Sequence, residues 1–296
     1  MFGRNDPCWC GSEKKWKKCH YPEVAPLSKR KSIIAQEYKK KFNILIKNDK
    51  EIEGIRNSGR LAAKILDATV KAAKEGVSTE DLNKLAHQMH LDAGAIPAPL
   101  NYGHPPFPKS ICTSVNEVVC HGIPDNSPLI KGDIVNIDVT CILNGYYGDC
   151  SRMVVIGGET SPERQRVVDV SLECLNRSIA IMKPGTLLSE IGNVIEPYAQ
   201  SKRCSVVHQF VGHGVGVNFH EAPQIYHNMN DVHIPVIPGM TFTIEPMVNA
   251  GVAEAVIDSR DHWTARTKDG KASGQWEHTL LITDDGCEIL TAWPKG

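Results

Sequence analysis

The sequence contains the same helical plan twice, and this repeat limits the possible folds more than any other feature. Residues 51–95 carry apolar side chains at helical spacing and are interrupted at Gly76. Residues 164–203 repeat the arrangement and are interrupted at Gly185, which lies 109 positions after the first break. We therefore predict an α+β chain that contains two equivalent halves, each beginning with a pair of helices.

A strand pattern follows each helical pair and repeats at nearly the same distance. Gly132 and Gly239 are 107 residues apart, and each is followed six residues later by an acidic side chain, Asp138 or Glu245. If the two halves face each other, these carboxylates are equivalent positions that meet in one central cleft. The duplication thus predicts a cleft that contains Asp138 and Glu245.

An Asn-Gly pair at Asn144 and Gly145 separates two strand-like runs, which is the strongest short signal for a β-hairpin. If these residues form the loop, Thr140 faces Asp149, and Asp138 lies one diagonal step away on the same side. Two neighbouring carboxylates repel each other unless a cation lies between them, so we predict a divalent metal site. The alternative is a pair of solvated aspartates on an exposed hairpin.

Further candidate ligands occur in the second half of the chain. Glycines flank His213, so the backbone there can approach a metal closely, and His220 follows seven residues later. Glu277 lies in a predicted strand over residues 275–283. Each of these residues could be an ordinary polar group by itself, and only their combination with the acidic pairs favours a shared site.

The first twenty residues contain four possible zinc ligands: Cys8, Cys10, Cys19 and His20. Three cysteines and one histidine fit a closed tetrahedral zinc site, and a segment this short needs a metal in order to fold. The segment resembles the SEC-C motif, a small zinc-binding module. A disordered basic tail with incidental thiols is the alternative. We predict a zinc module over residues 1–22.

Charge is distributed unevenly along the chain. Residues 1–50 carry a net charge of +8 and residues 51–296 a net charge of −9. A basic N-terminal segment on an acidic domain suggests that the segment binds a polyanion such as RNA, or an acidic protein, although a merely solvated surface is also compatible. We interpret residues 23–47 as a basic linker, with the Lys29–Lys31 run in it, that ends in a lysine-rich helix at about 32–47. Residues 48–296 then form the main domain.

The chain shows neither a signal peptide at its start nor an apolar run long enough to span a membrane. Seven of the ten cysteines are scattered in apolar contexts, a pattern typical of reduced thiols rather than a disulfide framework. We expect a cytoplasmic protein that does not associate with membranes.

The acidic residues and the glycine-flanked histidine together resemble the metal centre of the methionine aminopeptidase and prolidase superfamily, which has the pita-bread fold of creatinases and aminopeptidases. That centre contains two aspartates, one histidine and two glutamates, which match Asp138, Asp149, His213, Glu245 and Glu277. The motifs Val119–Pro124, Gly212–Gly214 and Phe219–Glu221 are similar to those of the type I bacterial methionine aminopeptidases. The resemblance implies a pseudo-twofold fold with helices and antiparallel strands in each half.

The resemblance also implies two divalent ions, which could be Co, Mn, Fe or Zn. Asp138 would bind one ion, His213 and Glu245 the other, and Asp149 and Glu277 would bridge them. A hydroxide shared by the ions would attack the first peptide carbonyl of a nascent protein and release its initiator methionine.

Three further roles are implied by the same resemblance. Glu245 would shuttle a proton to the leaving amine, while His121 and His220 would bind the substrate and stabilise the tetrahedral intermediate. Packed histidines beside glycine turns are the alternative for these two residues.

The resemblance assigns a methionine pocket to aromatic and sulfur-containing side chains, which suit a thioether. These are Cys112, Phe219, Trp263, Tyr102 and Phe107. The proline-rich stretch over residues 96–108, which contains the last two, departs from the family pattern by a short insertion.

Two other readings remain open. A related pita-bread peptidase, of the prolidase or aminopeptidase P type, would act next to proline but normally has a larger N-terminal domain. A binding protein on the same fold would have lost its metal ligands. We expect a monomeric methionine aminopeptidase that prefers small residues after the methionine.

Overall fold

A computed structural model describes residues 4–23 and 27–294, without the side chains of residues 27–30. The chain divides into two compact units, Met1–Ile46 and Lys47–Gly296. The first unit contains a short 3-10 helix, Trp16–Lys18, and the helix α1, Leu27–Phe42.

Helix α1 lies earlier than the sequence predicted. It begins at Leu27 rather than near residue 32, so the Lys29–Lys31 run is helical and does not belong to a linker. The reason is that Leu27–Phe42 contains neither glycine nor proline and is rich in good helix formers. Asn43 has a positive φ of 59°, which ends the helix before residue 47. Pro26 lies outside the described residues.

The first half of the second unit begins with two capped helices, α2 (Asp49–Ala72) and α3 (Thr79–Asp92). Asn48 and Glu51 form a capping box at α2, and Ser78 forms one with Asp81 at α3. The second half begins with α4 (Pro162–Ile181) and α5 (Ser189–Ser201). The predicted pairs of helices are thus confirmed.

Matching glycines connect each helical pair to its strands. The N–H of Gly76 donates to Leu129 O at 2.8 Å, and the N–H of Gly185 donates to Val236 O at 2.9 Å. Gly132 and Gly239 have φ values of 89° and 90°, a conformation that favours glycine. The same backbone connections therefore occur in both halves, which confirms the duplication.

The strands are short outside the central hairpin. Their bounds are β1 Ile96–Pro97, β2 Cys112–Val115, β3 Val118–Cys120, β4 Ile134–Leu143, β5 Tyr146–Val155, β6 Ser205–Val206, β7 Gly212–Gly214, β8 Glu221–Ile225, β9 Thr241–Ile244, β10 Met247–Asn249, β11 Ala255–Ile257, β12 Ala265–Thr267, β13 Ser273–Gln275, β14 Glu277–Ile282 and β15 Cys287–Ile289. The main sheet is antiparallel, in the order β1-β4-β5-β14-β9-β7-β8, with β2 also on β4 and β15 on β14.

The central hairpin has the predicted register. Thr140 is paired with Asp149 across β4 and β5, and the turn residues Asn144 and Gly145 both have positive φ values. Ile137 and Val139 are fully buried in a core that α2 also lines through Ile65 and other residues. Because side chains alternate along a strand, Asp138 and Thr140 project to the opposite face, away from this core.

The predicted strand at residues 275–283 is interrupted. Residue Trp276 separates β13 from β14, and these two strands belong to different sheets. The Trp276 side chain is buried and its Nε1–H donates to Val168 O at 3.0 Å, so the chain changes direction there. Among the described residues, the structure contains no helix that is both long and apolar enough to cross a membrane.

Candidate metal centre

Three of the predicted carboxylates lie on one face of the main sheet. Asp138 on β4 is paired with Ser151 on β5, and Ser151 is paired with Glu277 on β14. Asp149 lies two residues before Ser151 and therefore projects to the same side. The sheet register alone thus places Asp138, Asp149 and Glu277 next to one another.

Strands β7 and β9 bring the other two predicted ligands to this face. The Nε2 atom of His213 lies 3.7 Å from Asp149 Oδ2 and 3.6 Å from Glu245 Oε1. Ligand atoms of Asp149, His213 and Glu277 all lie within 4.8 Å of one another. Five residues that are distant in sequence therefore converge, as the sequence predicted.

Neighbouring groups hold these side chains in place. His213 Nδ1 lies 3.1 Å from Gly214 O, a contact in which Nδ1–H donates and Nε2 is left with a lone pair towards the carboxylates. The hydroxyl of Thr140 donates to Asp149 Oδ1 at 2.7 Å. The hydroxyl of Thr243 donates to Glu245 Oε1 at 2.7 Å. These contacts orient the candidate ligand atoms of His213, Asp149 and Glu245.

Burial shifts the protonation of the whole cluster. It raises the pKa of Asp149 to about 7 and that of Glu245 to about 8, because the charged carboxylates are removed from water. Burial and the neighbouring carboxylates also raise the pKa values of Asp138 and Glu277. Burial, together with the nearby His220, lowers the pKa of His213 to about 3, so its imidazole is neutral at pH 7.

The cluster fits divalent metal ions. Carboxylate oxygens and a neutral imidazole are ligands that Mn, Fe, Co and Zn accept. Asp138 Oδ1 is shielded from solvent and has no hydrogen-bond partner among the described residues, which is costly for a carboxylate unless a cation binds it. Each remaining ligand likewise directs an oxygen or a nitrogen towards the same small volume.

Two further histidines lie beside the cluster. The rings of His220 and His213 are 4.2 Å apart, and His220 Nδ1 lies 2.8 Å from the hydroxyl of Tyr102. His121 has a positive φ of 57° and packs edge-on against Trp263 at 6.0 Å. Burial lowers the pKa of both histidines to about 4, so both are neutral at pH 7.

The predicted pocket residues form two aromatic pairs. Tyr102 lies 4.9 Å from Phe219, and Phe107 packs edge-on against Trp263 at 5.3 Å. The indole N–H of Trp263 donates to Pro105 O at 2.9 Å and so attaches to the proline-rich stretch. Cys112 is buried and is paired with Asp138 across the sheet. The structure therefore brings the divergent stretch 96–108 to the pocket.

Sequence reasoning missed several supporting residues. Tyr147 stacks on Phe219 at 5.9 Å, and Phe210 packs edge-on against His121 at 5.5 Å. Gln275 donates from Nε2 to Glu245 Oε2 at 3.1 Å, and His227 Nε2 accepts the backbone N–H of Glu245 at 3.1 Å. Of these residues, only Tyr147 could have been found from the sequence, because it lies in the predicted hairpin. The contacts of Phe210, Gln275 and His227 depend on long-range folding.

The four predicted ligands in the first unit also converge. Cys8 Sγ lies 3.3 Å and Cys19 Sγ 3.2 Å from His20 Nδ1, and the sulfurs of Cys10 and Cys19 are 3.5 Å apart. Gly11, between the two halves of this cluster, has a positive φ of 79° and donates its N–H to Cys8 O. Three sulfurs and one nitrogen at these distances fit a tetrahedral zinc ion.

Comparison with known proteins gives two family matches and close relatives. The model of metallopeptidase family M24 matches residues 53–284, and that of the SEC-C motif matches residues 4–22. The chain is 57% identical to the methionine aminopeptidase of Chlamydia muridarum over 288 residues, which are 97% of this chain and 98% of that protein.

Two solved structures are similar to this chain. The crystal structure of methionine aminopeptidase from Rickettsia prowazekii matches with a TM-score of 0.81 at 44% identity, and the match covers 84% of this chain and all of that one. The prolidase from Pyrococcus furiosus matches with a TM-score of 0.68 at 22% identity, over 89% of this chain and 68% of that one, and this likeness concerns the fold alone.

Proposed function

The chain belongs to metallopeptidase family M24, and on that premise we propose that it removes the N-terminal methionine from nascent proteins as a type I methionine aminopeptidase. The observation that carries this proposal is the convergence of five metal-ligand residues beside an aromatic pocket that contains Cys112. The protein is a divalent-metal hydrolase.

The proposed centre holds two metal ions. Asp138 would hold one of them, His213 and Glu245 would hold the other, and Asp149 and Glu277 would contribute to both; the short distances among these side chains support this assignment. When bound, the ions polarise the scissile carbonyl and make a water molecule a strong nucleophile at neutral pH. The unpartnered Oδ1 of Asp138 supports a separate ion on that side of the cluster.

The protein's own side chains orient the substrate and transfer its protons. Nδ1 of His220 lies 2.8 Å from the Tyr102 hydroxyl. We assign this hydroxyl as the donor, which would leave the proton on Nε2, where it can be donated to the substrate carbonyl. His121 binds the peptide group of the substrate and helps to stabilise the tetrahedral intermediate. Glu245, held by Thr243 and Gln275, carries the proton to the leaving amine.

Selectivity for methionine comes from the pocket beside the metals. Phe219, Trp263, Tyr102 and Phe107 offer ring faces and edges, and Cys112 offers a polarizable sulfur. Such surroundings suit an unbranched thioether side chain. We expect small residues to be preferred after the methionine.

In this proposal the first unit is a zinc module over residues 1–22 followed by a basic segment. The second unit, which begins at Lys47 and not at the expected residue 48, is the catalytic domain. Cys8, Cys10, Cys19 and His20 hold the structural zinc. The exposed lysines around Trp16 give the module a basic surface that can contact ribosomal RNA near the nascent chain. None of the ten cysteines forms a disulfide, which supports a location in the reducing cytoplasm, and we propose that the enzyme is a monomer.

The test is hydrolysis of a Met-Ala-Ser peptide by the full-length protein. We expect release of methionine, loss of activity on chelation and recovery with Co²⁺, Mn²⁺ or Fe²⁺. Cleavage of Gly-Pro or Ala-Pro peptides instead would support the prolidase or aminopeptidase P alternative. A fully metal-loaded protein that cleaves none of these peptides would support the binding-protein alternative.

The zinc module is tested separately in the full chain. Cys19→Ser should remove one zinc per chain while leaving the hydrolysis of short peptides unchanged. Retention of the same zinc content in this variant would refute the four-ligand assignment.

A further inference from the structure

A buried ion pair lies behind the loop that carries Phe219 and His220. The Nζ atom of Lys47 lies 2.8 Å from Glu221 Oε2, and the two side chains are only 1% and 3% exposed. Neither residue belongs to the metal cluster or the pocket. Burial of two charges is costly, and a hydrophobic pair of similar size would often stabilise a protein as well. The pair therefore calls for an explanation other than stability.

The second oxygen of the same carboxylate closes the loop. Glu221 Oε1 accepts the backbone N–H of Val217 at 2.7 Å and that of Asn218 at 2.8 Å. Gly216 N–H donates to Asn218 O at 3.1 Å, and Tyr147 N–H donates to Gly216 O at 2.9 Å. Backbone hydrogen bonds thus hold residue 216 at the start of this loop, and one carboxylate accepts from the next two residues.

Lys47 is itself firmly placed. Its backbone N–H donates to Gly239 O at 2.9 Å, and it directly precedes Asn48, the capping residue of α2. The ammonium group therefore compensates the buried charge of Glu221, and the other oxygen of that carboxylate holds the loop. The rings that depend on the loop are those of Phe219 and His220, which lie 4.3 Å apart in a stacked arrangement.

We propose that Glu221, whose buried charge Lys47 balances, is a positioning residue that sets the loop 217–220 and so places Phe219 against the methionine side chain and His220 against the substrate carbonyl. This inference deepens the proposed function and rests on it for its kinetic consequences. A displacement of a catalytic group by about 1 Å can lower the rate about 100-fold, so small movements of this loop are sufficient.

Two double variants separate positioning from charge burial. Both Lys47→Met/Glu221→Gln and Lys47→Met/Glu221→Leu remove the buried charges, but only glutamine retains an oxygen that can accept from Val217 and Asn218. We expect the glutamine variant to keep kcat/KM for Met-Ala-Ser within about 3-fold of the wild type. The leucine variant should lose about 10-fold or more, with KM raised and kcat lowered, because both rings are displaced.

A matched control addresses general destabilisation. Arg56 lies on α2, and Arg56→Met breaks its ion pair with Glu288 on β15, a pair that includes none of the site residues. It should lower the melting temperature without changing kcat/KM at 25 °C. Equal kinetic losses in the glutamine and leucine variants, or a loss in Arg56→Met as large as in the leucine variant, would overturn the proposal.

A measurement that needs no activity distinguishes failure of this inference from failure of the proposed function. Amide hydrogen exchange of a peptide spanning residues 215–221 should accelerate at least 10-fold in the leucine variant and stay near the wild-type rate in the glutamine variant. If the wild type cleaves no methionyl peptide but the exchange rates differ in this way, the proposed function fails and the anchoring role of Glu221 stands. Unchanged exchange in the leucine variant would refute that role.

Discussion

Metal binding at the catalytic cluster should release protons, and the number released should depend steeply on pH. The metal-free centre holds carboxyls whose pKa values burial raises to about 7 at Asp149 and about 8 at Glu245. A metal ion binds only their ionised forms, so each protonated carboxyl must lose its proton when the ion enters. His213, whose pKa burial lowers to about 3, is already neutral and contributes no proton.

The expected number follows from these values. At pH 6 both carboxyls are more than about nine-tenths protonated, so filling the centre releases about two protons from this pair. At pH 9 the same pair holds only about 0.1 proton. Asp138 and Glu277, whose pKa values are raised as well, add to the release at low pH. Apparent metal affinity should therefore rise with pH between 6 and 9.

The assay is calorimetric titration of chelator-treated protein with Mn²⁺ in two buffers of different ionisation enthalpy. Mn²⁺ is chosen because thiolates bind it weakly, so the cluster around Cys19 contributes little. As a control, Glu245→Gln should lower the release at pH 6 by about one proton. Release of less than about half a proton at pH 6, or release that is independent of pH, would show that the carboxylates are already ionised in the metal-free protein.

Three further predictions concern single residues. Asp138→Asn should lower the rate of Met-Ala-Ser hydrolysis about 100-fold or more, because it removes a metal ligand. Circular dichroism should show that the variant is still folded. Activity close to that of the wild type would exclude Asp138 as a ligand. Tyr102→Phe should lower kcat about 5- to 10-fold with little change in KM, because it removes the hydroxyl that lies 2.8 Å from Nδ1 of His220 and orients its ring. An unchanged kcat would mean that this contact has no role in the reaction. Gly122→Ala should destabilise the protein by about 1–3 kcal/mol and lower kcat/KM, because the added Cβ would overlap the carbonyl oxygen of Thr113 and displace the neighbouring His121. Urea unfolding measures the stability, and peptide kinetics measure the activity. A variant with wild-type stability and activity would contradict the packing argument.

Local patterns in the sequence were sufficient to predict the parts of the fold that depend on neighbouring residues. The turn at Asn144 and Gly145 fixed the register of Thr140 against Asp149, because a two-residue loop leaves only one pairing. Ser78 and Asp81, which form the capping box at the start of α3, are likewise close in sequence. Prediction was less accurate where no cap or turn residue marks a boundary, as at the start of α1.

The duplication let the sequence reach further than local patterns usually allow. The nearly equal spacing of the glycines predicted that Asp138 and Glu245 occupy equivalent positions, and both halves show the same glycine hydrogen bonds. Residue types also indicated a metal centre, since clustered carboxylates need a cation. Chain position alone could not give the distances of 3.6 and 3.7 Å that bring His213 to Glu245 and Asp149.

Only the tertiary structure decided which groups support the site. Lys47 and Glu221 are 174 residues apart, and the hydrogen bond from Tyr102 to His220 spans 118 residues. Neither contact leaves a periodic or spacing signal, because a single long-range pair depends on how several strands and loops pack together. The sequence therefore determined the kinds of side chain available for binding metal and methionine, whereas packing decided which of them hold the others in place.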